Sequence, residues 1–142
     1  MSKFKETIEV GVPLRAAYDQ LSQVESYPNF MTGVQEVTQL SANETHWVMD
    51  LGGQHREFDA HLVCQPDKRV AWQAMLDSGR PLLAEALTLK RLGDDRCQIT
   101  LELEADAAAL LPRDAHASEH LSHQLKTDLA QFKHYIEERA GL

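Results

Sequence analysis

Apolar and polar residues alternate with period two through most of the first hundred positions, and a helical spacing replaces that pattern in the last third. The opening run KFKETIEV alternates and stops at Gly11, which predicts a first strand. PLRAAYDQLSQ follows, with Pro13 suited to a first helical turn and Leu14, Ala17, Tyr18 and Leu21 on one face. The next stretch, ESYPNFMTGVQEV, predicts a second short helix bent at Pro28. Five strand-like runs succeed it, at 34–40, 45–52, 54–65, 69–76 and 82–92, and a sixth at 96–105 alternates most clearly. There Ile99, Leu101, Leu103 and Ala105 interleave with Thr100, Glu102 and Glu104, as in an antiparallel sheet with one buried and one wet face. ANE, GG, PDK, DSGRP and GDD supply the turns, so the strands read as consecutive hairpins. From about Pro112 to Arg139 the pattern predicts one long helix. Its stripe of Leu121, Leu125, Leu129, Phe132 and Ile136 is wide enough to lie on a sheet.

The order strand, two short helices, six strands, long helix predicts an α+β fold. A curved antiparallel sheet of about seven strands would wrap the C-terminal helix, with room for a core or a cavity between them. No repeat or linker divides the 142 residues, so residues 1–142 are expected to form one domain.

Charge narrows the partners. The chain has 22 acidic and 14 basic residues, a formal net charge of −8, which argues against nucleic acid and against anionic membrane surfaces. No run approaches the roughly 20 apolar residues of a spanning helix. The start MSKFKETIEV lacks the apolar middle of a signal peptide, so a cytoplasmic location without membrane insertion is expected. In that reducing compartment Cys64 and Cys97 are expected as free, semi-buried thiols. A homodimer is left open.

Strand 54–65 carries the most candidate chemistry. Arg56, Phe58, Ala60, Leu62 and Cys64 share one mostly apolar face, which should point inward. Arg56 then needs an acidic partner or a ligand oxygen, unless it reaches solvent at a frayed strand end. On the other face, His55, Glu57, Asp59 and His61 lie about 6–7 Å apart for adjacent pairs. They have the residue types of a metal site, yet on the outer face nothing would dehydrate an ion, so a solvated surface is expected. His116, His120 and His123 have the i, i+4, i+7 spacing of helical ligands, but they fall opposite the leucine stripe, on the wet side. Trp47, Met49 and Leu51 share a face of one strand, and Val70, Trp72 and Ala74 a face of another. With Phe30 and Phe58 they would build an apolar wall, either a filled core or a pocket. Tyr18, Tyr27 and Tyr135 are the tyrosines available for acid–base work. No nucleophile elbow, phosphate loop or dinucleotide fingerprint is present, so no cofactor and no metal is expected.

YPNFMTGVQEV, the segment GG…REFDAHLVCQPDKRVAWQA and the closing DLAQFKHYIE, taken in that order, resemble the polyketide cyclase/dehydrase and coenzyme-Q-binding-like branch of the START (SRPBCC) superfamily. The resemblance spans nearly the whole chain. It implies the helix-grip fold, a hydrophobic cavity between sheet and C-terminal helix, and lipid-, quinone- or polyketide-like ligands. One departure stands out: where many relatives place an aromatic residue in the strand after AW, this chain reads SGRPLLAEALTLKRL, with none. On this resemblance the ligand-binding candidates are Phe30, Met31, Trp47, Met49, Arg56, Phe58, Trp72 and Phe132. Tyr27, Phe30 and Met31 would form a lid or mouth bent at Pro28. Three functions stay open: a carrier or binding protein, a cyclase or dehydratase acting on a poly-β-ketone, and an interaction module with no small ligand.

Overall fold

Strand alternation becomes one seven-stranded antiparallel sheet. Its strands are β1 (Ser2–Val10), β2 (Val34–Gln39), β3 (Glu44–Leu51), β4 (Gln54–Gln65), β5 (Arg69–Met75), β6 (Pro81–Gly93) and β7 (Arg96–Ala105), in the spatial order β1-β7-β6-β5-β4-β3-β2. The chain is seen here in a computed structural model that describes residues 2–51 and 53–140. Position 52, the expected end of the third strand and half of the GG turn, lies outside the described residues, as do positions 1, 141 and 142 of the expected domain. β2 to β7 follow one another as hairpins, and β1 closes on β7 in full register from Ser2 opposite Ala105 to Val10 opposite Cys97. At the β5–β6 turn Gly79 adopts φ +85°, a left-handed conformation that glycine reaches without a Cβ clash.

Two short helices cross from β1 to β2. The first, α1 (Leu14–Ser22), buries Ala17, Tyr18 and Leu21. The second is a 3₁₀ helix over Val24–Asn29 that contains Pro28. After β7 come α2 (Ala107–Leu110) and α3 (Ala117–Arg139). α3 lays Leu121, Leu125, Leu129, Phe132 and Ile136 on the concave side of the sheet, all buried. This is the helix-grip arrangement.

The C-terminal helix departs from expectation at its start. Leu111 precedes Pro112 and is held out of the helical region at φ −126°, ψ 71°, because a proline ring crowds the residue before it. α2 therefore stops early. Its N-terminus is capped by Asp106, whose carboxylate accepts the Ala109 N–H at 3.0 Å. Asp114 bridges the gap to α3, accepting the His116 N–H at 2.8 Å and pairing with the His120 ring. The thiols also divide unevenly: both are free, but Cys97 is fully buried and Cys64 exposed. Cys64 sits on the last rungs of β4, where the burial alternation of that strand ends in three exposed residues.

Candidate functional site

A small cavity lies between the concave sheet and α3. Its volume is about 40 Å³. Three aromatic rings form one wall: Trp47 stacks on Trp72 at 5.0 Å between centroids and on Phe58 at 6.4 Å. The wall follows from register, since Trp47 faces Phe58 across β3–β4 and Leu62 faces Trp72 across β4–β5. The Trp47 indole N–H donates to Thr45 Oγ1 at 2.8 Å, and the Thr45 hydroxyl donates to the Ala60 carbonyl at 2.9 Å. That chain fixes the ring and removes the polar handle of one tryptophan from the cavity.

Met31, Trp47, Met49, Phe58 and Trp72, all named from the sequence, line this cavity. Phe30, Phe132 and Arg56 do not. Phe30 packs behind the wall, on Phe132 at 5.0 Å and on Tyr135 at 5.1 Å. Arg56 does point inward, but its Nη2 donates to the Ala109 carbonyl at 3.1 Å, at the end of α2. Its Nε is buried without a partner among the described residues. The tyrosines are also committed elsewhere. Tyr27 is fully buried, donates its O–H to the Leu21 carbonyl at 2.6 Å and meets Trp47 and Trp72 edge-on. Burial holds that phenol well above its ordinary range, so it keeps its proton. Tyr18 faces Cys64 outside the cavity, and Tyr135 lies under the Arg139 guanidinium. Tyr27 and Phe30 are thus buried posts rather than a mouth, because a 3₁₀ turn around Pro28 tucks both rings under the sheet. Met31 alone of the three reaches the cavity.

The loop Met31–Gly33 closes one side of the space. The Thr32 N–H donates to Asp128 Oδ1 at 3.3 Å. Gln124 Nε2 donates to Thr32 Oγ1 at 2.6 Å and to Asp128 Oδ1 at 2.7 Å. On the other side of the loop the Asp50 N–H donates to the Gly33 carbonyl at 2.9 Å. Gly33 allows this close approach, since an added Cβ would sit 2.9 Å from a Leu51 methyl.

Two carboxyls enter the apolar space, and neither was singled out from the sequence. Glu85 occupies an inward rung of β6, opposite Trp72 on β5 and Leu103 on β7. Asp128 sits among the stripe residues of α3 and is buried. Both line the cavity. Glu85 as a residue keeps some accessible surface, because it borders both the void and the outer groove of the sheet. Its carboxyl is partly buried and makes no hydrogen bond or ion pair to another described residue. Burial first, and the Asp128 charge second, raise the Glu85 pKa to about 8. Burial raises Asp128 to about 6 against the opposing hydrogen bonds from Gln124 and Thr32. Of the two, Glu85 is the more readily protonated and Asp128 the more readily ionised.

The outer face of the sheet carries the histidines, solvated as expected. His46 bridges Asp59 at 2.6 Å and Glu57 at 3.0 Å, His55 meets Glu57 at 2.9 Å, and His61 meets Glu44 at 2.9 Å. His116, just before α3, and His120 and His123 on its wet side are exposed. Among the described residues no group of three or more His, Cys, Asp or Glu is placed to hold a metal ion. No helix of the described residues is long and apolar enough to cross a membrane.

Comparison with known proteins places these features in a family context. Residues 10–125 match the family model described as polyketide cyclase / dehydrase and lipid transport. The chain is 40% identical over 140 residues to an uncharacterized 17.2 kDa protein of Streptomyces lincolnensis from the melC2-rnhH intergenic region, covering 98% of this chain and 92% of that one. Among solved structures, a START superfamily protein from Mycobacterium smegmatis superposes with a TM-score of 0.78 at 12% identity, over 96% of this chain and 97% of that one. The Zhui aromatase/cyclase from Streptomyces sp. R1128 superposes with a TM-score of 0.74 at 13% identity, over 99% and 93%. At such identities the structural likeness speaks to the fold.

Proposed function

Because the chain belongs to the polyketide cyclase / dehydrase and lipid transport family, we propose that it binds an apolar small molecule, lipid-, quinone- or polyketide-like, in the cavity between the sheet and α3. The observation that carries this reading is the cavity lining: three stacked aromatic rings, with Glu85 beside Trp72 on the same sheet and Asp128 and Gln124 on α3, are the features of a mostly apolar space. Pockets for small molecules have this make-up, mostly apolar with few polar groups. A filled core would have no reason to keep a partly buried, unpaired Glu85, since shielding an unpaired acid from water costs stability.

The void of about 40 Å³ is far below the roughly 300–1,000 Å³ of drug-sized sites. Binding is therefore coupled to opening. The Met31–Gly33 loop is the part to move, because only two hydrogen bonds among the described residues, both through Thr32, tie it to α3 and its own side chains contribute one residue, Met31, to the wall. Met31 and Met49 suit a wall that must change shape. Arg56, outside the lining at the α2 end, keeps an unclaimed Nε donor that a ligand oxygen could meet once the site opens.

Glu85 and Asp128 favour a second reading, a cyclase or dehydratase acting on a poly-β-ketone, in which one carboxyl gives a proton and the other accepts one. Turnover of a poly-β-ketone, abolished by Asp128→Asn, would establish that reading over a carrier.

Both tryptophans of the chain stand in the cavity wall, which makes the binding test simple. A brominated chain such as 12-bromododecanol quenches an indole only on contact. Titration should quench the emission saturably at one molecule per chain. Emission that is unchanged, or that falls linearly without saturation, refutes occupancy of this cavity.

A further inference from the structure

Glu85 and Asp128 ask what the ligand's polar end must be. Among the residues lining the cavity they are the two that ionise in the neutral range; Lys, Arg and His are absent from the lining. The elements packed around Glu85 present Trp72 from β5, Leu103 from β7, Met31 from the loop, and Leu125, Gln124 and Asp128 from α3. The one charge that faces it is thus another acid. Asp128 uses Oδ1 for the Thr32 N–H and Gln124. Gln124 spends its Nε2 on Thr32 and Asp128, which leaves its amide oxygen as an acceptor.

The lining thus offers acceptors and negative charge with no cation among them; the Arg56 guanidinium lies outside it, on the Ala109 carbonyl at the α2 end. A ligand carboxylate would add a third negative group. A ligand hydroxyl or ketone could take a hydrogen bond from neutral Glu85 but would leave the Asp128 charge uncompensated in an apolar space. A protonated amine supplies both missing terms, one positive charge and up to three N–H donors for the two carboxyls and the Gln124 oxygen. The faces of Trp47 and Trp72 add attraction for the same charge.

Resting on the binding reading above, we propose that the cavity takes an apolar ligand bearing one protonated amine, with the ammonium held between the Glu85 and Asp128 carboxylates and the body against Trp47 and Trp72. Binding then drives a proton off Glu85, because a neighbouring cation stabilises the ionised form that burial alone disfavours.

Three probes of one shape test this: 2-naphthylmethylamine, 2-naphthylmethanol and 2-naphthoate, titrated calorimetrically into the protein at pH 7 in phosphate and in Tris. The amine is expected to bind at least ten-fold more tightly than the alcohol and to release close to one proton per molecule bound, with naphthoate weakest. Glu85→Gln and Asp128→Asn should each erase the preference for amine over alcohol. Glu57→Gln, which removes an acid on the outer face, should leave it intact. Alcohol or naphthoate binding as tightly as the amine, or amine binding without proton release, overturns the assignment while leaving the binding reading standing. If none of the three binds and 12-bromododecanol also fails to quench, the binding reading falls and this inference with it. The ligand series and the proton count use wild-type protein, so the outcome does not hang on either variant folding.

Discussion

Two polar clusters sit on opposite faces of the same sheet, and they differ in what they lack. On the outer face each carboxylate of the His46, His55 and His61 ladder has an imidazole at hydrogen-bond distance and is open to solvent. On the inner face Glu85 has no partner and Asp128 shares one oxygen between two donors. The outer cluster is rich in chemistry-bearing residue types and is satisfied as it stands. The inner cluster is sparse and unsatisfied, and its location in an apolar cavity makes it the better indicator of a ligand.

The largest expected effect separates the two faces by pH. An acid raised from its ordinary 4.5 to about 8 keeps its proton in the folded chain where the unfolded chain has lost it. Its contribution to stability therefore falls as pH rises through that window, by up to about 5 kcal/mol. Urea unfolding at pH 5 and pH 9 should show the fall in wild type and a much smaller one in Glu85→Gln. Glu85→Leu should be the more stable protein, most clearly at pH 9. A wild type and a Glu85→Gln variant with the same pH dependence would show that Glu85 is hydrated.

A comparable loss belongs to the two sides of α3. Leu129→Ala leaves a hole in the layer that grips the sheet and should cost about 2–5 kcal/mol. Replacing His116, His120 and His123 together by Gln should change stability by no more than about 0.5 kcal/mol per site, as surface positions do. Chemical denaturation of both variants checks the contrast.

Smaller effects follow for the loop and for the outer ladder. Asp128→Ala removes the acceptor of the Thr32 N–H and should cost about 1–3 kcal/mol, with faster hydrogen exchange at Thr32. His46 is raised by its hydrogen bonds to Asp59 and then Glu57, so what it adds is present at acid pH and fades as pH rises through its folded value. At this exposure His46→Gln should cost no more than about 0.5 kcal/mol at any pH. A larger cost would mean that the outer face holds more than a solvated ladder.

Much of the architecture was legible from periodicity. β4 and β7 fall where alternation predicted them, at 54–65 and 96–105, because one face of each strand must be apolar. Pro112 was visible too, yet the long helix was started there; the restraint it places on Leu111 made a break and a separate α2 the better solution. For the site, Trp47, Met49, Phe58 and Trp72 followed from strand faces. Glu85 and Asp128 were overlooked since each looks like an ordinary surface acid out of context. The signal was in the register: Glu85 lies midway between Leu83 and Leu87, and Asp128 lies seven residues after Leu121 and four before Phe132. An acid at an inward position is the anomaly that periodicity can detect. Its lack of a partner depends on contacts across β5, β7 and α3, which no local pattern encodes.

The claim that matters most is that the space between sheet and α3 is a binding site. Anomalous diffraction at the bromine edge, from crystals grown with 12-bromododecanol, locates the ligand directly. The account predicts a bromine peak inside the sheet–α3 layer, within contact of Trp47 or Trp72, with the Met31–Gly33 loop displaced from α3. A peak confined to the outer groove beside Lys3 and Gln73, or to the groove between Phe30 and Tyr135, would contradict it.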